Sequence, residues 1–191
     1  MLDKVILLTG YEPFGGEKVN PSILACRLDG RRSYGYTVNV EEVPLRFGKI
    51  KGTIEGHIKR HKPAAIISTG QGGGYWLNLE RVAINVADAI RVAYNCRTKP
   101  RDATLIEGGP AAYFTGLSIR KLLEKLGAGG VPTEISNSAG AFGCNQIFYY
   151  LMDYVARSWA FLRVSSMFPN SPSRSWIRRS LTCPLTSSLG A

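Results

Sequence analysis

Two short, wholly apolar runs constrain this chain more than any other feature. Val5-Ile6-Leu7-Leu8 and Ala64-Ala65-Ile66-Ile67 each stop at a glycine-rich loop. A strand without polar alternation has to be covered on both faces, as in a parallel sheet with helices on either side. The segments between supply such helices. Asn20-Pro21-Ser22 opens one that runs through about Leu28, with proline in the first turn. Phe47 to Arg60 carries Ile50, Ile54 and Ile58 on one face. Leu117 to Leu126 is amphipathic and closed by Gly127-Ala128-Gly129-Gly130. Thr37 to Val43 alternates as a further strand. Strands alternating with helices predict a three-layer α/β/α sandwich around a mixed, mostly parallel sheet.

A length of 191 residues suits one domain with a sizeable core. No apolar run approaches a membrane span, and the N-terminus, with Asp3 and a short apolar stretch, lacks the layout of a secretory signal. Cys26, Cys96, Cys144 and Cys183 are scattered without a Cys-x-x-Cys pair, which argues against a disulfide framework or zinc ribbon. A cytoplasmic protein is expected. The formal charge of +10 raises a nucleic-acid reading. Five arginines after Asp153 (Arg157, Arg163, Arg174, Arg178, Arg179) carry half of it, and the rest is dispersed. Solvated faces are expected, with neither a nucleic acid nor a membrane as partner; a homo-oligomer is left open.

The chemistry centres on Cys144. An apolar strand from Val131 to Ile135 runs into Ser136-Asn137-Ser138-Ala139-Gly140, and the apolar run Ile147 to Met152 reads as a helix. Cys144 then stands near a helix N-terminus, where unpaired N–H groups and the dipole favour a thiolate. The alternative is a small buried hydrophobe. Glu80, in the strand-like stretch Leu79 to Val86, is a candidate catalytic carboxylate or a surface ion-pair partner.

The glycine loops exclude familiar phosphate binders. Gly10 to Gly16 has Gly16 where a P-loop requires lysine. Tyr11 and Phe14 in that loop either wall a small apolar pocket or fill the core. Gly70-Gln71-Gly72-Gly73-Gly74 begins like a dinucleotide fingerprint, but Tyr75 replaces the last glycine. Asn95 to Glu107 reads as an exposed loop. His57 and His61 are four apart, a spacing that can clamp a metal. No glutamate adjoins His57, and Lys59, Arg60 and Lys62 crowd the pair. They are expected to be cationic side chains at a helix C-terminus, with no metal and no cofactor.

Four segments together resemble the pyroglutamyl peptidase I family of cysteine peptidases. They are Thr9 to Gly16 with Asn20-Pro21, Glu80 to Asn85, Gly109 to Phe114, and Ser136 to Gly140 with Cys144-Asn145. The match covers about residues 1 to 155. It implies removal of an N-terminal pyroglutamyl residue from peptides, with Cys144 as nucleophile and Glu80 orienting a histidine. It further implies Tyr11 and Phe14 sandwiching the lactam ring, and the Gly70 to Gly74 loop, with Gln71, meeting the lactam amide. Arg91 falls near a family arginine close to the nucleophile.

The family histidine lies downstream of the nucleophile in a stretch like Gly-Phe-Ile-His-Val-Pro. This chain has no histidine after His61. The last base of each codon from Arg163 onward, read with the first two of the next, permits that stretch across Arg163 to Pro169. The run through Trp176 and Ile177 permits Leu-Pro-Glu-Gln-Val-Leu-Asp. A one-base frame change near residues 156 to 162 accounts for both. Residues 1–155 are then an incomplete peptidase-like domain and 156–191 an aberrant tail, without the general base, a late strand or the closing helix, and the chain is expected to be inactive. The alternatives are a binder that retains the lactam pocket, and a nucleoside phosphorylase-like or other nucleotide-binding α/β protein.

Overall fold

The sheet is built around β1 (Lys4–Tyr11), in a computed structural model that describes residues 4–27, 32–33, 35–72, 76–158 and 163–168. After β1 come α1 (Pro21–Arg27), β2 (Arg32–Ser33), β3 (Tyr36–Val43), α2 (Ile50–His61) and β4 (Ala65–Thr69). Four short strands follow: β5 (Leu77–Glu80), β6 (Val82–Ile84), β7 (Val86–Ala87) and β8 (Ala103–Thr104). The described chain then runs through β9 (Ala112–Phe114), α3 (Ile119–Ala128), β10 (Thr133–Ser136), α4 (Gly143–Ser158) and β11 (Arg163–Phe168).

Seven strands form the main sheet in the order β10-β5-β11-β4-β1-β3-β2. β1 is parallel to β3 and β4, β4 to β11, and β10 to β5, whereas β11 meets β5 antiparallel. Alternation along the strands separates the layers. Leu7 and Ile66 face a core with α2 and α4, built on Ile50, Ile54, Ile147, Phe148 and Leu151. Ile6 and Leu8 face the other side with Cys26 of α1. Leu77 and Leu79 pack under Leu122 and Leu126 of α3. Ile67 joins both of these clusters, so α1 and α3 share one face and the three-layer expectation holds.

Three expectations change. Leu79 to Val86 is three short strands rather than one, because the Asn145 side chain takes over backbone groups of Ile84 and Val86 there. The Asn95 to Glu107 segment is partly interior: β8 pairs with β7, and the Asn85 side chain accepts from the Leu105 and Ile106 N–H groups. A late strand is present: α4 continues to Ser158, and Arg163–Phe168 lies inside the sheet between β5 and β4. Its ladder uses backbone groups, which any non-proline sequence supplies. Gly73, Gly74, Tyr75 and the tail from residue 169 lie outside the described residues.

Candidate active site

Cys144 is the second residue of α4, and the local sequence explains the placement. Ser136 and Ser138 fold the approach: Ser138 N–H donates to Ser136 Oγ and Gly140 N–H to Ser138 Oγ. Gly140 turns the chain at a φ of 73°. The first helical bond runs from Gln146 N–H to the Phe142 carbonyl. Gly143 lets the helix end approach the core, since a Cβ there would lie 2.3 Å from Leu45 Cδ1. Its carbonyl accepts the Tyr11 hydroxyl at 2.5 Å.

Glu80 is brought to the same site by the end of β5. Its carboxyl is 3% exposed, and Oε2 has no hydrogen-bond partner among the described residues. Burial pushes its pKa up to about 7, against a lowering hydrogen bond from Ser136 and with a small push from Glu134. The Cys144 thiol is pushed up to about 12, first by burial and then by the Glu80 charge. This corrects the expectation of a lowered thiol. The N-terminal turn of α4 is largely buried, so its favourable dipole is outweighed by desolvation, and the neighbouring charge is of the sign that repels a thiolate.

Asn145, beside Cys144, is fully buried. Its Oδ1 accepts from Ile84 N–H at 2.8 Å, and its Nδ2 donates to the Ile84 and Val86 carbonyls, each at 2.9 Å. Asn85 holds the 105–109 turn, and the Tyr149 hydroxyl donates to the Pro110 carbonyl. These bonds tie the Glu80, Gly109 and Cys144 segments into one unit.

The Tyr11 ring lies in the main core, 2% exposed, with its hydroxyl engaged by Gly143. Phe14 is half-buried, with its ring 6.0 Å from Phe142, which in turn lies 4.4 Å from Tyr94. The aromatic wall beside Cys144 therefore includes Phe142, which the sequence reading missed. Glu12 and Asn95 hold the Phe14 loop: Glu12 Oε1 accepts from Leu45 N–H and Asn95 Nδ2, and Asn95 Nδ2 also reaches the Pro13 carbonyl. Their only sequence signal was polarity inside an apolar neighbourhood. Gln71 is half-buried just past the end of β4. Arg91 is exposed and makes no ion pair or hydrogen bond among the described residues. His57 and His61 belong to the last turns of α2, beside Glu41, and neither joins the thiol.

Comparison with known proteins follows the same lines. The pyroglutamyl peptidase family model matches residues 4–175. The pyrrolidone-carboxylate peptidase of Bacillus licheniformis is 41% identical over 164 residues, covering 85% of this chain and 76% of the relative. That of Gloeobacter violaceus is 43% identical over 155 residues, covering 80% and 75%. The crystal structure of pyroglutamyl peptidase I from Bacillus amyloliquefaciens superposes with a TM-score of 0.90 at 36% identity, over 98% of each chain. A mutant pyrrolidone carboxyl peptidase from Pyrococcus furiosus gives 0.89 at 31%, over 97% of this chain and 98% of the other. A thiol at a helix start, joined through Asn145 to the segment after a buried glutamate, thus sits in a matching fold and a matching sequence: this chain belongs to the pyroglutamyl peptidase family of cysteine peptidases.

Proposed function

We propose that this fold serves to cleave an N-terminal pyroglutamyl residue from peptides, and that this chain lacks the base the reaction needs. Cys144 is the nucleophile. Its sulfur attacks the pyroglutamyl carbonyl, and the N–H groups opening α4 stabilise the oxyanion. Phe14 and Phe142 enclose the flat lactam, with Gln71 and the neighbouring glycine backbone toward its amide. Glu80 orients the histidine that takes the thiol proton and returns it to the leaving amine.

The observation that carries this reading is the Cys144–Glu80 pairing without an imidazole. Burial raises both groups, the thiol further than the carboxyl, so direct transfer from Cys144 to Glu80 is uphill and reactive thiolate is scarce. A one-base frame change near residues 156 to 162 would account for the loss. In the restored frame the histidine codon takes the last base of Ser166 and the first two of Met167. Met167 pairs with Leu79, one residue before Glu80. Residues 156–191 are then the aberrant part, although the backbone of β11 keeps the strand.

The test is hydrolysis of a pyroglutamyl-coumarin amide by this chain and by a frame-restored chain. Turnover only in the restored chain, abolished by Cys144→Ser, supports the reading. Comparable turnover by this chain overturns the missing-base part. The aromatic wall is complete without the base, which favours a lactam-binding protein as second reading. Saturable binding of a pyroglutamyl peptide with no turnover by either chain would select it.

A further inference from the structure

We infer that Glu41, His57 and His61 form a binding site for a divalent zinc-type cation, separate from Cys144. The site arises from packing between two elements. Successive residues of a strand alternate in direction, so Asn39, Glu41 and Val43 of β3 share a face, and α2 packs on β3. On α2, His57 and His61 are one turn apart, each three residues after a buried isoleucine, Ile54 and Ile58. Both histidines and Glu41 are half-buried.

One donor atom from each of the three lies within 4.8 Å of the other two. His61 Nε2 is 2.7 Å from Glu41 Oε1, and His57 Nδ1 is 3.7 Å from Glu41 Oε2. Around a tetrahedral zinc with ligands at about 2.0–2.1 Å, adjacent donors sit ~3.3 Å apart. The observed distances bracket that value, so small side-chain shifts close the site. Two imidazoles and a carboxylate with one open position suit zinc rather than calcium or magnesium, which prefer more oxygen ligands.

The surroundings also fit. The Asn39 side-chain amide is 2.9 Å from His61 Nδ1. The amide Nδ2 faces that nitrogen; a flip that exchanges amide O and N lets Nδ1 keep the proton and Nε2 present its lone pair, the outer-shell arrangement of metal-bound imidazole. His57 turns Nδ1 toward Glu41 and so presents that nitrogen to the cluster, while Nε2 lies buried on the other side of the ring. The guanidinium of Arg60 contacts Glu41 and lies 3.2 Å from His61 Nε2. It is a cation at the place proposed for the metal, on an exposed side chain free to swing into water.

The cluster sits toward the C-terminal ends of α2 and α4, where Arg157 reaches Glu55 at 3.5 Å. Cys144 to Arg157 spans ~20 Å of helix at about 1.5 Å per residue. The cation would clamp α2 onto β3, a structural role independent of catalysis.

The test uses the full folded chain with its accessible thiols, Cys96 among them, carbamidomethylated, so that exposed cysteine cannot bind the metal. Zinc is titrated against a chromophoric chelator, and cobalt is used to read the tetrahedral visible spectrum. One equivalent of zinc is expected, with a higher Tm on binding. Glu41→Gln and His61→Ala should each weaken it at least ~10-fold and abolish the Tm rise. Arg60→Gln keeps all three ligands and should bind several-fold tighter. Absence of zinc binding by the parent overturns the inference, as does binding undiminished in the ligand variants. If a ligand variant fails to fold, unchanged or weaker binding by Arg60→Gln overturns it as well.

Discussion

The side-chain amide of Asn145 pairs with the backbone of Ile84 as a neighbouring strand would, accepting from its N–H and donating to its carbonyl. The residue after the nucleophile therefore fixes the chain that leaves Glu80. Asn145→Ala would strand the Ile84 and Val86 groups in the interior, and unsatisfied buried groups cost about 1–3 kcal/mol each. A loss of ~3 kcal/mol in urea unfolding is expected, with Asn145→Asp intermediate because it retains the acceptor. A loss below ~1 kcal/mol would show that the bridge does not hold the two segments together.

Gly10 tests a different constraint. It lies inside β1, where a Cβ would come 2.5 Å from both Cα and N of Ile23 in α1. Those are backbone atoms, so relief requires α1 to move. Gly10→Ala should destabilise by ~3 kcal/mol or more, above the usual cost of overpacking. The check is the midpoint of denaturant unfolding beside Gly16→Ala, which has open space around it but a φ of 87°.

The thiols should react in an order set by their surroundings. Cys96 is exposed; desolvation, the largest single influence, raises its pKa, but hydrogen bonds with the Thr98 side chain and with the Thr98, Phe47 and Cys96 backbone together lower it. Cys144 is held near 12. Iodoacetamide at pH 7 followed by peptide mass spectrometry should modify Cys96 first and Cys144 at least ~100-fold more slowly, since the thiolate is the nucleophile. The Cys144 rate should climb about tenfold per pH unit up to pH 9. In the frame-restored chain it should be fast already at pH 7.

Glu80 makes stability depend on pH with a definite sign. Its folded pKa of about 7 lies above the ordinary 4.5. Between those values the folded state holds a proton that the unfolded state has lost. Stability from this group is complete below pH 4.5 and is lost as pH rises through 7, by ~3 kcal/mol in total. Glu80→Gln should therefore stabilise the protein at pH 8 and leave it little changed at pH 4. Equal differences at the two pH values would mean that the carboxyl is not desolvated.

The sequence by itself determined the layers and the position of Cys144. Val5 to Leu8 and Ala64 to Ile67 admit only strands covered on both sides, and the glycine and serine turn before Ile147 leaves Cys144 at the start of a helix. These are short-range consequences of hydrophobic pattern and turn chemistry. Long-range contacts decided the rest. The thiol's ionisation reversed because burial and Glu80, 64 positions earlier in the chain, outweigh one helix terminus. Tyr11 went to the core because Gly143 offered its hydroxyl a carbonyl, which left Phe142 beside Phe14. His57 and His61 lacked a glutamate on their own helix and found Glu41 on the strand beneath it. Charge, desolvation and metal-ligand geometry depend on distance in space, and a linear reading reaches only neighbours along the chain.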